Sequence, residues 1–148
     1  MMKTVARILL IMLVPVAGMA QRLSPEQQEK FEALKVAFLT EELSLTSKEA
    51  QTFWPIYNEM EAQINEVREA KKKVARSARK NFDSMSDAEL EKTVTAALDL
   101  TQQESQIKKD FLPQFKKALP MRKVAKLYAS EEKFKRRLLQ KIKEHRRR

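Results

Sequence analysis

From residue 46 to about residue 80, apolar side chains recur in a three-four rhythm: Phe53, Tyr57, Met60, Ile64, Val67, Val74 and Ala78. That spacing predicts one long amphipathic helix with a heptad-like seam, interrupted once by Lys71. Thr46-Ser47-Lys48-Glu49 ahead of it is a capping box, in which the threonine and glutamate side chains satisfy each other's free backbone N–H groups. Pro55 falls in the third turn and should kink the helix, because it removes one hydrogen bond and crowds the preceding turn. Ser24-Pro25-Glu26-Gln27 opens an earlier helix, whose face is Phe31, Leu34 and Phe38 and whose end is near Leu43. Asn81 to Met85 reads as a loop, and Ser86-Asp87-Ala88-Glu89 as another capping box. Leu90, Val94, Ala97 and Leu98 begin the next apolar face, and Phe111, Leu112 and Phe115 continue it. Between them Thr101 to Lys109 is polar apart from Ile107. Leu119-Pro120 breaks that helix. Met121, Val124, Leu127, Tyr128, Phe134, Leu138 and Ile142 mark the last one. The predicted helices are 25–43, 46–80, 87–118 and 121–143, in an all-α fold.

Length bears on shape. A helix over 46–80 spans about 50 Å at 1.5 Å per residue. A compact globule of this size has a radius of gyration of about 14 Å, hence a diameter of roughly 36 Å. The sequence therefore predicts an elongated, thin molecule. A thin helical layer leaves apolar surface exposed unless a second copy covers it, so a homodimer with one face open is expected.

The N-terminus reads as an export signal. Lys3 and Arg7 precede the apolar run Ile8 to Val16, and Gly18 and Ala20 are small residues placed for cleavage after Ala20. The run is too short to span a bilayer. Residues 1–20 are thus a signal peptide, 21–148 a single helical domain, and the expected location is the periplasm. Composition agrees with helices: the only glycine is Gly18, and there is no cysteine. Glycine-rich phosphate loops, glycine hairpin turns, disulfides and thiolate metal sites are excluded from the mature chain. Without Lys3 and Arg7, the 30 basic residues fall to 28 against 20 acidic, a net charge of +8. For an exported chain that excess points to membrane surfaces, acidic polymers or proteins rather than nucleic acid.

Leu45-Thr46-Ser47-Lys48-Glu49 resembles the LTxxQ motif of the Spy/CpxP-type periplasmic proteins, with Glu49 in place of glutamine. Together with residues 31–40 (FEALKVAFLT), 53–59 (FWPIYNE) and 127–139 (LYASEEKFKRRLL), it resembles the branch of that family known as sensors of extracytoplasmic-function sigma factors. The resemblance implies a bent, antiparallel four-helix fold that dimerises into a curved cradle. It further implies either ATP-independent holding of unfolded clients or repression of envelope-stress signalling by binding a sensor. Where a second LTxxQ would open the last helix, this chain reads Leu119-Pro120-Met121-Arg122-Lys123.

The candidate binding residues lie around residues 71–80 (KKKVARSARK), which hold six cations and no acid. Lys72, Lys73, Arg76 and Lys80, with Phe82 and Met85 in the following loop, are read as a surface for unfolded or acidic clients. The plainer readings are a solvated helix end that complements the helix dipole, and a loop folded back as a cap. Trp54, beside Phe53, is expected in the core. Residues 133–148 carry many cations around Phe134, Leu138 and Ile142, and are either a solvated tail, a contact for anionic membrane or a partner contact. His145, alone among arginines, makes no metal site, and no nucleophile–base pair is evident, so neither cofactor nor catalysis is expected. Three functions remain open: a holdase, a regulator that binds a membrane sensor or anti-sigma factor, and a membrane-surface protein.

Overall fold

The computed structural model describes residues 25–146. The expected signal peptide, its cleavage after Ala20 and the Ser24 cap lie outside the described residues, as does the side chain of His145. Two compact units divide the chain, residues 1–36 and 37–148, with the boundary inside the first helix. Four α-helices follow one another: α1 (Pro25–Leu43), α2 (Ser47–Asn81), α3 (Asp87–Ala118) and α4 (Met121–Arg146). A single 3₁₀ turn, Phe82–Ser84, joins α2 to α3, and no strand occurs among the described residues.

Local chemistry sets these boundaries. Thr46 caps α2: the Glu49 N–H donates to Thr46 Oγ1 at 3.2 Å, and the Thr46 N–H donates to Glu49 Oε2 at 2.9 Å. Ser86 and Glu89 repeat the arrangement at α3, with bonds of 3.4 and 2.8 Å. Each such cap contributes about 1 kcal/mol. The end of α1 is a Schellman turn. The Leu45 N–H reaches back to the Thr40 carbonyl (3.1 Å), the Ser44 N–H to that of Glu41 (3.0 Å), and Ser44 takes φ of 48°. With no glycine at hand, a serine occupies the left-handed position. α2 runs on through Pro55. At the end of α3, Leu119 turns extended and the Pro120 carbonyl accepts from the Lys123 and Val124 N–H groups that begin α4.

In the first unit, the described part is the start of α1, where Lys30 pairs with Glu26 at 2.7 Å. Leu34, expected on the buried face, is 49% exposed. In the second unit the core gathers the end of α1 (Phe38, Leu39, Leu43) and the first half of α2 (Phe53 to Val67). The second half of α3 (Ile107, Phe111 and Phe115), Leu119 just beyond it and the start of α4 (Val124, Leu127) complete it. Phe53 is its hub: its ring lies 5.4 Å from Tyr57, 5.7 Å from Phe115 and 4.9 Å from Trp54. Trp54 is half-buried at the core's margin rather than within it. Tyr128 stands edge-on to Phe115, and its hydroxyl donates to the Lys108 carbonyl at 2.8 Å. Phe38 and Phe134 join α1 to α4 with ring centres 5.3 Å apart.

Burial stops abruptly along α2 and α3. No residue from Arg68 to Gln106 is buried. Over this stretch the two helices, which pack against each other, form a two-helix arm. Val74 and Ala78 are half-buried in its seam, as are Leu90 and Leu100. Val94 and Leu98, expected on the inner face of α3, are instead 58% and 64% exposed. The inner row of α3 is Leu90, Thr93, Ala96, Leu100, Glu104, Ile107 and Phe111, which leaves Val94, Ala97 and Leu98 exposed on the flank. Met121, also expected inside, is 55% exposed.

Candidate functional site: the two-helix arm

Lys71, which interrupts the apolar seam of α2, anchors the root of the arm. Its ammonium lies 2.7 Å from Glu104 on α3. Lys108 approaches the same carboxylate at 3.8 Å and reaches Glu131 of α4 at 3.1 Å, so one chain of charges ties three helices. Burial pushes the Glu104 carboxyl up, but the Lys71 bond and the charges of Lys71 and Lys108 more than offset it, and it sits below the ordinary carboxylate range. A half-buried lysine at a seam position is tolerated because its partner is there to meet it.

Beyond this root the arm is polarised. From Arg68 to Asn81, α2 holds seven basic residues against one acidic; from Asp83 to Gln106 there are six acidic against one basic. The expected client-binding cations Lys72, Lys73, Arg76 and Lys80 are all exposed, and their spacing puts them along the outward side of α2, away from α3. Lys72 pairs within its own helix with Glu69 at 2.6 Å. Among the described residues no ion pair engages Lys73, Arg76, Arg79 or Lys80, nor Asp83, Asp87, Glu91 or Asp99. Phe82 is 60% exposed at the tip, whereas Met85 is half-buried and its N–H donates to the Phe82 carbonyl at 3.3 Å. The structure thus brings the cations and Phe82 to one end of the molecule's second unit and folds Met85 partly in. Val94 and Leu98, read from sequence as part of a core face, are exposed on the flank of α3 in the same arm.

The motif residues have a different position. Leu45 packs against the core, Thr46 caps α2, and Glu49 accepts from Lys123 of α4 at 2.7 Å. The same ammonium donates to the Ser44 carbonyl at 2.7 Å. Lys123 and the Thr46 backbone N–H hold the Glu49 carboxyl below its ordinary range. These residues clamp the α1–α2 turn to α4; they are remote in sequence from the arm's tip. A second surface lies between α1 and α4, a polar groove of about 540 Å³ lined by Glu41, Glu42, Lys133, Arg136, Arg137 and Gln140. Two of its cations are engaged: Lys133 meets Glu42 at 2.6 Å, and the Arg137 guanidinium lies 5.7 Å from the centre of the Phe38 ring.

Among the described residues, no group of three histidine or carboxylate side chains could hold a metal ion, and no helix is long and apolar enough to cross a membrane. What the arm offers is exposed apolar side chains at Phe82, Val94 and Leu98 and, along α2, exposed cations that no ion pair engages. No family model, no curated protein and no solved structure matches this chain.

Proposed function

We propose that this chain is an exported, ATP-independent holdase of the Spy/CpxP envelope-stress type, and that the α2–α3 arm is where it holds clients. The observation that carries the reading is the arm beyond Val67 and Ile107, where Phe82, Val94 and Leu98 are exposed and α2 carries exposed cations with no ion pair. Free cations speed encounter with acidic segments. Dispersed apolar contacts then shield a sticky segment without locking it, because each exposed side chain covers little area. The sequence pattern of residues 1–20 supports export to the periplasm.

The test is suppression of light scattering by an aggregating acidic client at low and high salt. Replacing Lys72, Lys73, Arg76 and Lys80 with serine should weaken protection at low salt, where the Debye length is long. Replacing Phe82, Val94 and Leu98 with serine should weaken it at both. Undiminished protection by both variants would refute the arm as the client surface. Tight one-to-one binding to a single receptor domain, with no protection of clients, would replace this reading with the regulatory one.

A further inference from the structure

Among the described residues, the last buried position on α4 is Ser130. From there the helix continues to Arg146, about 24 Å at 1.5 Å per residue. Residues 133–148 carry nine lysines and arginines against one acid, Glu144. Rotation of about 100° per residue sorts the described side chains of this stretch into three rows. Glu131, Phe134 and Leu138 are half-buried and continue the row of Val124 and Leu127. Lys133, Arg137 and Gln140 turn to the groove beside α1, where Glu42 and the Phe38 ring engage the first two. Lys135, Leu139 and Lys143, each four residues apart, form the third row, and Arg136 stands between it and the groove. All four are exposed, Leu139 at 52%, and among the described residues no ion pair engages the three cations. Glu132, at the near end of the row, is the one described acid on this side.

We propose that this row docks on an anionic lipid surface, with Leu139 entering the headgroup layer and Lys135, Arg136 and Lys143 spread around it. Charge is complementary: the cations have no partner in the chain, and an anionic leaflet attracts basic residues within a Debye length of its surface. Shape agrees, because the row is the convex side of one helix, on which a flat, fluid layer can close. The leucine separates lipid from an acidic polymer. A lipid layer buries Leu139 while the lysine and arginine stems lie along it and their heads stay at the phosphates. A purely ionic partner leaves that leucine in water. The row carries no aromatic side chain on which nucleic-acid bases could stack, and Phe134 is turned to Phe38. The surface lies on a different element from the α2–α3 arm, and this docking stands independently of client holding.

Flotation of the full chain with vesicles of equal parts phosphatidylglycerol and phosphatidylcholine measures the docking. Each basic residue at an anionic surface strengthens binding about fivefold. Lys135→Ser, Arg136→Ser and Lys143→Ser together should therefore weaken binding by about tenfold or more. Lys109→Ser, Lys116→Ser and Lys117→Ser remove as many exposed cations from α3. They should weaken it by about threefold at most, because charges held away from the surface are screened within about 8 Å. Circular dichroism of both triple variants should match the parent, which separates loss of docking from loss of fold. The chain has no cysteine, so Leu139→Cys places a single thiol for an environment-sensitive dye. Its emission should shift to the blue on these vesicles and stay unshifted on polyglutamate. Equal losses from the two triple variants, or a dye that remains in water on vesicles that carry the chain, would each overturn the proposal. Binding to polyglutamate as tight as to the vesicles would replace lipid with an acidic polymer.

Discussion

Phe115 and Leu98 lie on one helix, seventeen residues apart, and the structure assigns them opposite energetic roles. Phe115 is 0% exposed, with Phe53 at 5.7 Å and Tyr128 at 6.5 Å between ring centres. Truncating it removes a ring's transfer free energy and leaves a cavity that three helices must collapse to fill. Phe115→Ala should therefore cost about 3–5 kcal/mol. Against a total stability of about 5–15 kcal/mol, that is a large share. For a chain of this length about 1 kcal/mol moves Tm by about 4 °C, so the expected fall is roughly 12–20 °C. Leu98 is 64% exposed. Leu98→Ala removes surface already in water, and the cost should stay within about 0.5 kcal/mol, or about 2 °C. Thermal and urea melts followed at 222 nm measure both. They should be run at low micromolar concentration, where self-association would add least to stability. Equal destabilisation by the two variants would refute the division into a packed base and an arm with an uncovered face.

Acid should loosen the clamp between the α1–α2 turn and α4. The Glu49 carboxyl lies below its ordinary range in the fold, so its contribution is complete above about pH 4.5 and is lost as pH falls through the folded value; Glu49→Gln should flatten the acid limb of a urea-midpoint profile, and an unchanged limb would show that Lys123 does not hold it. Ser44 occupies a left-handed position that glycine takes without a steric penalty, so Ser44→Gly should stabilise by about 0.5–1 kcal/mol, and a lower Tm would mean that its backbone conformation differs.

Much of the helical layout was legible because short-range chemistry marks it. Thr46 with Glu49, and Ser86 with Glu89, announce two helix starts by side chains that bond only their own neighbours. The first half of α2 was equally readable, since Phe53, Tyr57, Met60, Ile64 and Val67 recur on one stripe and all are buried. α3 was harder to read. Leu90 can be continued through Val94 and Leu98 or through Thr93 and Leu100, and apolar content alone prefers the first. The structure takes the second because Glu104, a polar residue, sits on the inner row opposite Lys71. That pairing joins residues 33 positions apart and leaves no local trace. The arm's cations were visible as a run. Its apolar members on α3 are not, because their spacing reads as a core face and the core ends before it reaches them.

The place where burial ends has a further consequence. Between Val67 and Asn81 the arm extends about 21 Å, at 1.5 Å per residue, without contributing a buried residue after Val67. Its length is therefore decoupled from the stability of the base. Seven residues added to α2, matched by seven in α3, would lengthen it by about 10 Å and return every seam position to its place. Both capping boxes would be untouched. Reach is thus a dimension that can drift by whole heptads while the base is held constant, and the tip, with Phe82 and its neighbouring charges, travels outward as a unit.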